Sequence, residues 1–495
     1  MEVIQELPAI ARDLGPGLIA IGLSSLLAIV VGIIYQEWNV IPWMLITTAT
    51  LCGLGILAHA FPKTDKKPRT ATSVAATAVI WLIVGICGSF PFLFTDVGFL
   101  NAVFESMSAW TGTGFTIVDD IESWPKTLIF WRSFMQWIGG LGIIAFALTI
   151  GARSGLLRRG LYRSEGRAEA FMPSVLATAA QMWKIYAILT GIAIIAILLT
   201  GVGIWDSINL ALCTISTGGL TIYNAGISHF DNIALEMILI PIMFAGAIPF
   251  RLYYLTFNRK SVREVLHDRI LHLMLILFAV IAGIIVLDLM IAGGISIGEA
   301  FRQGLFMAGS ALSSTGFQNT DFSIGWGIAP LLFIAIFMMI GGAQGSTAGG
   351  FKIDRIVVII ESIVYWFKKA VMSPKAIVHM RHNKKAVDDA DAGKLMLSSV
   401  ILIVAYLMFV GIIAIIFLHD PYFATNPSDT IFDIISCVGN NGVTAGNLIG
   451  PLMPTYSKIL LILVMWISRL EIIPGLILIW GIFRGFNWEK FTRKS

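Results

Sequence analysis

Charge is scarce in this sequence. Only 13% of its 495 residues are Asp, Glu, Lys or Arg, against about 25% in an ordinary soluble domain, which leaves little room for a water-facing body. Cysteine is scarcer still. Cys52, Cys87, Cys213 and Cys437 lie scattered in apolar or pore-adjacent segments with no metal-like spacing, so small buried hydrophobes are expected rather than a disulfide or redox role. The seven histidines form no cluster with a carboxylate, which speaks against a metal enzyme. No spanning segment pairs a nucleophile with a base, which speaks against membrane-embedded catalysis. Residues 1–16 lack a basic leading region, so no cleavable signal peptide is expected.

Apolar residues fill the space that charge leaves. They make up 57% of the chain, with a mean hydropathy of +0.84. Many runs exceed the roughly 20 residues needed to cross hydrocarbon, so the expectation is an all-α polytopic membrane protein. Two helices are expected at 17–36 and 42–61, followed by the basic residues Lys63, Lys66, Lys67 and Arg69. One pattern then repeats four times: spanning helix, short amphiphilic helix, Gly-rich loop, spanning helix. Its pieces fall at 72–95, 100–110, 111–115 and 126–151; at 178–203, 206–215, 216–220 and 231–256; at 270–292, 297–312, 313–317 and 327–366; and at 395–418, 429–438, 439–443 and 456–483. The implied units are 1–71, 72–152, 176–257, 268–367 and 393–484, with a tail at 485–495.

The four loops are Thr111-Gly112-Thr113-Gly114-Phe115, Ser216-Thr217-Gly218-Gly219-Leu220, Ser313-Ser314-Thr315-Gly316-Phe317 and Gly439-Asn440-Asn441-Gly442-Val443. Their shared glycines stand at 114, 219, 316 and 442, at intervals of 105, 97 and 126 residues. This is a fourfold internal repeat. Irregular backbone at membrane depth is tolerated only where it is buried in protein or lines a water-filled cavity, so four such loops imply a ring of carbonyls around one axial pore. Carbonyls that replace a hydration shell suit a large monovalent cation such as K⁺. No Asp or Glu lies within the loops to form the carboxylate site a divalent ion would need. Asn101, Asp206 and Asp429 are expected as N-caps of the short helices, and Ser296 with Glu299 as a capping box in the third unit. Each short helix then aims the negative end of its dipole at the pore.

Charge placement sets the topology. Basic residues gather between the units, at Arg153, Arg158, Arg159, Arg163 and Arg167, at Arg259, Lys260, Arg263 and Arg269, at Lys368, Lys369, Lys375, Arg381, Lys384 and Lys385, and after the last unit at Arg484, Lys490, Arg493 and Lys494. Asp119, Asp120, Glu122, Asp231, Asp321 and Asp420 accompany the Gly-rich loops instead. Both termini are therefore expected in the cytoplasm and the loops near the outside.

Two further features stand out in spanning segments. Gly341-Gly342-Ala343-Gln344-Gly345-Ser346-Thr347-Ala348-Gly349-Gly350 holds five glycines, each costing a helix about 1 kcal/mol against Ala. It reads as a loop across the pore that acts as a gate. Arg469 is a charge inside a spanning segment, which normally faces a cavity or a partner. It reads as an electrostatic barrier, whereas Arg132 reads as a snorkelling or ion-paired structural residue.

With these residues in view, the chain resembles the Trk/Ktr/HKT superfamily of potassium transporters, most closely the membrane subunit of the prokaryotic Trk system. The resemblance rests on Phe104-Glu105-Ser106 through Phe115, Trp131-Arg132-Ser133-Phe134-Met135-Gln136-Trp137-Ile138-Gly139-Gly140, Ser216-Thr217-Gly218-Gly219, Ser314-Thr315-Gly316-Phe317, Gly341-Gly342 through Phe351-Lys352, and Arg469-Leu470-Glu471. Leu220, Val443, Asn440-Asn441 and Ser468 depart from the family pattern. The resemblance implies K⁺ (and Rb⁺) as the transported and bound ion, with no organic cofactor in this chain. It implies a homodimer in the cell membrane, and a cytoplasmic nucleotide-binding regulatory subunit of RCK/KTN type that takes NAD, ATP or ADP. Nucleic acid is not an expected partner. Glycine at position 114 goes with K⁺ selectivity in this superfamily. A Na⁺/K⁺-permeable or ion-coupled symporter of the same fold is the alternative.

Overall fold

A backbone in hydrocarbon can satisfy its N–H and C=O groups only within itself, so the apolar runs fold as helices. The computed structural model describes residues 2–61, 70–143, 174–259, 262–373, 378–382, 385–446 and 448–470. The N-terminal helices are α1 (Glu2–Ser24), α2 (Leu26–Ile34) and α3 (Ile41–His59). The first unit holds α4 (Thr70–Gly88), α5 (Phe99–Thr111) and α6 (Lys126–Leu141), and the second holds α7 (Val175–Leu198), α8 (Ile204–Ile215), α9 (Ile233–Ala247) and α10 (Phe250–Arg259). The third holds α11 (Arg269–Ile291), α12 (Ile297–Ser313), α13 (Ile328–Ile340) and α14 (Ile353–Val371). A small antiparallel hairpin, β1 (Met380–His382) with β2 (Lys385–Val387), leads to α15 (Asp389–Leu418), α16 (Pro427–Val438) and α17 (Thr455–Arg469). Among the described residues six helices are long and apolar enough to cross a membrane, or seven if the bent pair α9–α10 counts as one span. The chain is thus an all-α polytopic membrane protein, and the hairpin is a minor addition that its apolar pattern does not announce.

The structure corrects several sequence expectations. The first N-terminal helix starts earlier than residue 17, at Glu2, and is interrupted at Ser25, whose hydroxyl bonds back to the Gly22 carbonyl at 2.6 Å, yet α1 and α2 still make one span over Leu14–Ile34. The second spanning helix of the second unit is not continuous over 231–256. It bends by 96° between α9 and α10, because Ile248 precedes Pro249 and is held in extended backbone at ψ 142°. In the first unit α6 stops at Leu141, where Gly142 takes φ +99°. Helix breaks are therefore not confined to the Gly-rich segment of the third unit.

The caps were also misplaced. Gly98, Gly203 and Asn426 hold the N-cap positions of α5, α8 and α16, three residues before Asn101, Asp206 and Asp429. Those polar residues occupy the third helical position, where a carboxylate suits the positive helix end. Ser296 does cap α12, but its hydroxyl makes no cap bond, and Glu299 accepts from Gln303 at 3.0 Å, so no capping box forms. Side-chain caps fall instead on spanning helices, at Ser174, Asn232 and Asp268. The basic residues at 63–69, 153–167, 260, 375, 384 and 484–494, together with Glu471, lie outside the described residues.

The N-terminal helices are joined firmly to the first unit. Glu37 accepts from the backbone N–H groups of Lys126 and Thr127, both at 2.8 Å, and from the Thr127 hydroxyl at 2.6 Å. Its carboxylate thereby caps α6, whose own N-cap residue is Pro125. Lys126 then lies 4.3 Å from the Tyr35 ring.

Candidate ion pathway

The four loops share one backbone conformation despite different sequences. Each short helix ends in a Schellman turn. The N–H groups of Thr113, Gly218, Thr315 and Asn441 reach back five residues, to the carbonyls of Ser108, Cys213, Ser310 and Ser436 at 2.9–3.0 Å. The left-handed residue of each turn is Gly112, Thr217, Ser314 or Asn440, three of them non-glycine at φ +48° to +54°. Such residues cost about 1–3 kcal/mol each and persist only where the surroundings hold them. Two positions on stand Gly114, Gly219, Gly316 and Gly442, all left-handed at φ +75° to +96°.

These four glycines close a ring. A Cβ on Gly114 would strike the Gly218 carbonyl oxygen, and one on Gly219 would strike that of Thr315. A Cβ on Gly316 would strike the Asn441 carbonyl, and one on Gly442 that of Thr113. Each loop thus packs its glycine against the next loop's carbonyl in chain order, and the fourth returns to the first. Glycine is required twice over here, by dihedral and by contact. The register of the fourth loop follows, with Gly442 level with the other three.

A second set of links joins the units above the ring. Asn224 takes the Ile121 N–H at 2.9 Å and donates to Asp120, joining units one and two. Bonds from Asn224 first, and from Ser123, hold the Asp120 carboxyl below its ordinary range. Buried Glu236 binds Arg302 at 2.7 Å and Asn319 at 2.7 Å, joining two and three. Gln318 donates to the Thr444 carbonyl at 3.0 Å, and Lys458 reaches Asn101 at 2.9 Å, which completes the circle. Arg132 sits behind the first loop, 2% exposed, with its guanidinium 2.9 Å from Glu105. Glu105 also takes the Thr116 hydroxyl and the Ile117 N–H. Arg132 is an ion-paired structural residue.

Residues 341–352 run directly beneath the ring, between α13 and α14. The Thr347 hydroxyl lies 3.1 Å from Thr217 Oγ1, 3.1 Å from the Ile215 carbonyl and 3.0 Å from the Gly246 carbonyl. Gly350 donates to the Gly439 carbonyl at 3.0 Å, and Ala343 to that of Ala247 at 3.1 Å. Lys352 bonds the Ala348 carbonyl across the loop's far end. Arg469 is held among carbonyls: Thr347 at 3.3 Å, Gly140 at 2.7 Å, and Gly139. Its guanidinium also lies within reach of Gly112 and 5.6 Å from the Trp81 ring. The loop, Arg469, Asn440 and Tyr406 line one cavity, with room for a few water molecules.

The residues singled out in sequence thus converge on one axis: the four loops, the Gly-rich segment and Arg469. Sequence reasoning quoted Gln136 only as part of a motif and gave it no role, and it missed Glu105 as the Arg132 partner and the Thr217–Thr347 link. A polar residue such as Gln136 inside a spanning helix was the available signal. Gly139 and Gly140 let α6 come this close, since Cβ atoms there would strike Trp110 and Ser216 of the first two loop regions.

A helical membrane protein with four loops closed around an axis, and a charged cavity beneath them, has the build of a transport protein. The family profile described as TrkH, cation transport protein, matches residues 44–489, and the chain belongs to that family. It is 33% identical to an uncharacterized cation transporter of Methanocaldococcus jannaschii, over 96% of this chain and 95% of the relative. It is 27% identical to the Trk system potassium uptake protein TrkH of Halomonas elongata, over 97% and 99% of the two chains. The crystal structure of the potassium transporter TrkH from Vibrio parahaemolyticus superposes with a TM-score of 0.82 at 24% identity, covering 95% of this chain and 98% of that one.

Proposed function

We propose that the chain is a potassium uptake pore of the cell membrane, with K⁺ (and Rb⁺) as the conducted ion and both termini in the cytoplasm. The observation that carries this reading is the closed ring, in which Gly114, Gly219, Gly316 and Gly442 each meet the next loop's carbonyl. Residues 111–115, 216–220, 313–317 and 439–443 form the selectivity filter, whose carbonyls replace the hydration shell of a monovalent cation. Residues 341–350 are the gate, since they occupy the axis below the filter and are held by hydrogen bonds that can be exchanged for water. Arg469 is the barrier between the two. The division into an N-terminal unit (1–71), four pore units and a tail belongs to this reading. So do the homodimer and a cytoplasmic nucleotide-binding subunit acting on the gate; several relatives are named as proteins of a Trk system.

The test is ⁸⁶Rb⁺ uptake into liposomes holding the purified protein, with K⁺ or Na⁺ as competitor, for wild type and Gly114→Ser. The expected result is uptake blocked by K⁺ but not by Na⁺, with Na⁺ competition appearing in the variant. Absence of Rb⁺ uptake both in the wild type and in a well-folded variant with residues 343–349 deleted would refute the reading.

A further inference from the structure

Gln136 belongs to α6 of the first unit, yet its side chain serves the second loop. Its amide nitrogen donates to the Gly218 carbonyl at 2.5 Å, and its amide oxygen accepts from the Leu220 N–H at 3.2 Å. The two bonds straddle Gly219, the ring glycine. Gln136 is wholly buried, and a buried amide is tolerated only when it is bonded.

The other three loops meet the same need with a side chain of their own. The residue before the ring glycine is Thr113, Thr315 or Asn441, and its side chain ties the loop from behind. Thr113 lies 2.8 Å from the Thr111 hydroxyl and Thr315 lies 2.7 Å from that of Ser313, both within one loop, whereas Asn441 donates to the Ala311 carbonyl of α12 at 3.2 Å. The second loop has Gly218 there, with no side chain at all. Its φ is not left-handed, so dihedral preference does not demand glycine. Space does: a Cβ on Gly218 would run into the Gln136 amide.

We propose that Gln136 is a positioning residue that determines ion specificity, supplying from a neighbouring helix the tie that the other loops make with a side chain of their own. This rests on the filter reading above. By holding Gly218 and Leu220 together, Gln136 fixes one quarter of the ring at the spacing of the other three. Its loss lets that quarter yield to a smaller, more tightly hydrated ion.

The experiment compares Rb⁺ uptake under K⁺ and Na⁺ competition for wild type, Gln136→Ala, Gly218→Thr and the pair. Discrimination between K⁺ and Na⁺ should fall about tenfold in Gln136→Ala, the size of one or two lost buried hydrogen bonds. Gly218→Thr alone should lose flux through the clash. The pair should recover wild-type discrimination to within about twofold, because the new hydroxyl can reach Ser216 as Thr113 reaches Thr111. Unchanged discrimination in Gln136→Ala, or a folded pair that remains unselective, would overturn the proposal. If Gln136→Ala cannot be purified, the pair decides: a selective pair supports the tie and an unfolded one refutes it. If neither the wild type nor the 343–349 deletion shows K⁺-sensitive uptake, the filter reading is overturned as well, and this is seen before any variant at 136 is made.

Discussion

Thr347→Val is the sharpest test of the gate. Valine keeps the shape of threonine and removes only the hydroxyl, which touches Thr217, Ile215 and Gly246. One hydroxyl carries one proton, so it donates a single bond at a time, to Ile215 or Gly246, while accepting one from Thr217. Thr217 also has one proton, for which the Ser216 carbonyl competes at 2.7 Å, so one to two bonds are lost, at about 1 kcal/mol each. The Thr347 N–H keeps its own bond to the Gly246 carbonyl at 3.1 Å, so the loop stays in place but is held less tightly. A loss of about 1–2 kcal/mol shifts a two-state equilibrium about 5- to 30-fold. A pore that is mostly shut should then pass Rb⁺ about 5- to 30-fold faster in liposomes without its cytoplasmic partner, and deletion of 343–349 sets the ceiling of the assay. Flux equal to or below wild type in a monodisperse Thr347→Val protein would show that the loop does not gate.

Three further outcomes are expected. Arg469→Ala removes the charge below the filter and its bonds to Thr347, Gly139 and Gly140, so K⁺ flux should rise severalfold; unchanged flux would leave Arg469 a structural tether. Gly316→Ala forces a Cβ toward the Asn441 carbonyl at φ +87°, costing about 1–2 kcal/mol for the dihedral alone, and should lower both thermal stability and Rb⁺ uptake. Glu105→Gln leaves the Arg132 guanidinium buried without its counter-charge, which costs about 3–5 kcal/mol; a detergent-solubilised melting temperature within a degree of wild type would contradict the assignment.

Much of the pathway was legible because it is written in local chemistry. Apolar runs of spanning length mark helices, and five glycines in ten residues mark a break. The caps were less legible: Asn101, Asp206 and Asp429 are good cap residues by type, but the chain enters α5, α8 and α16 three residues earlier. The bend at Ile248-Pro249 carried a signal, since a residue before proline resists helix. It was outweighed by apolar flanks that read as one span.

The sequence alone therefore determined the class of protein, the four loops, their shared glycines and the arginine in a spanning segment, because hydropathy and dihedral preference act between near neighbours. Tertiary structure decided what those pieces do to each other. The ring closes through contacts between loops about 100 or more positions apart, from Gly114 against Gly218 to Gly442 against Thr113, and no local pattern encodes which carbonyl a glycine must meet. Left-handed backbone at Thr217, Ser314 and Asn440 is disfavoured by their own side chains and is held by the packing around them. Gln136 and Arg469 acquire their bonds only once α6 and α17 are packed against the loops, because a side chain's partners at this range are set by how the helices assemble.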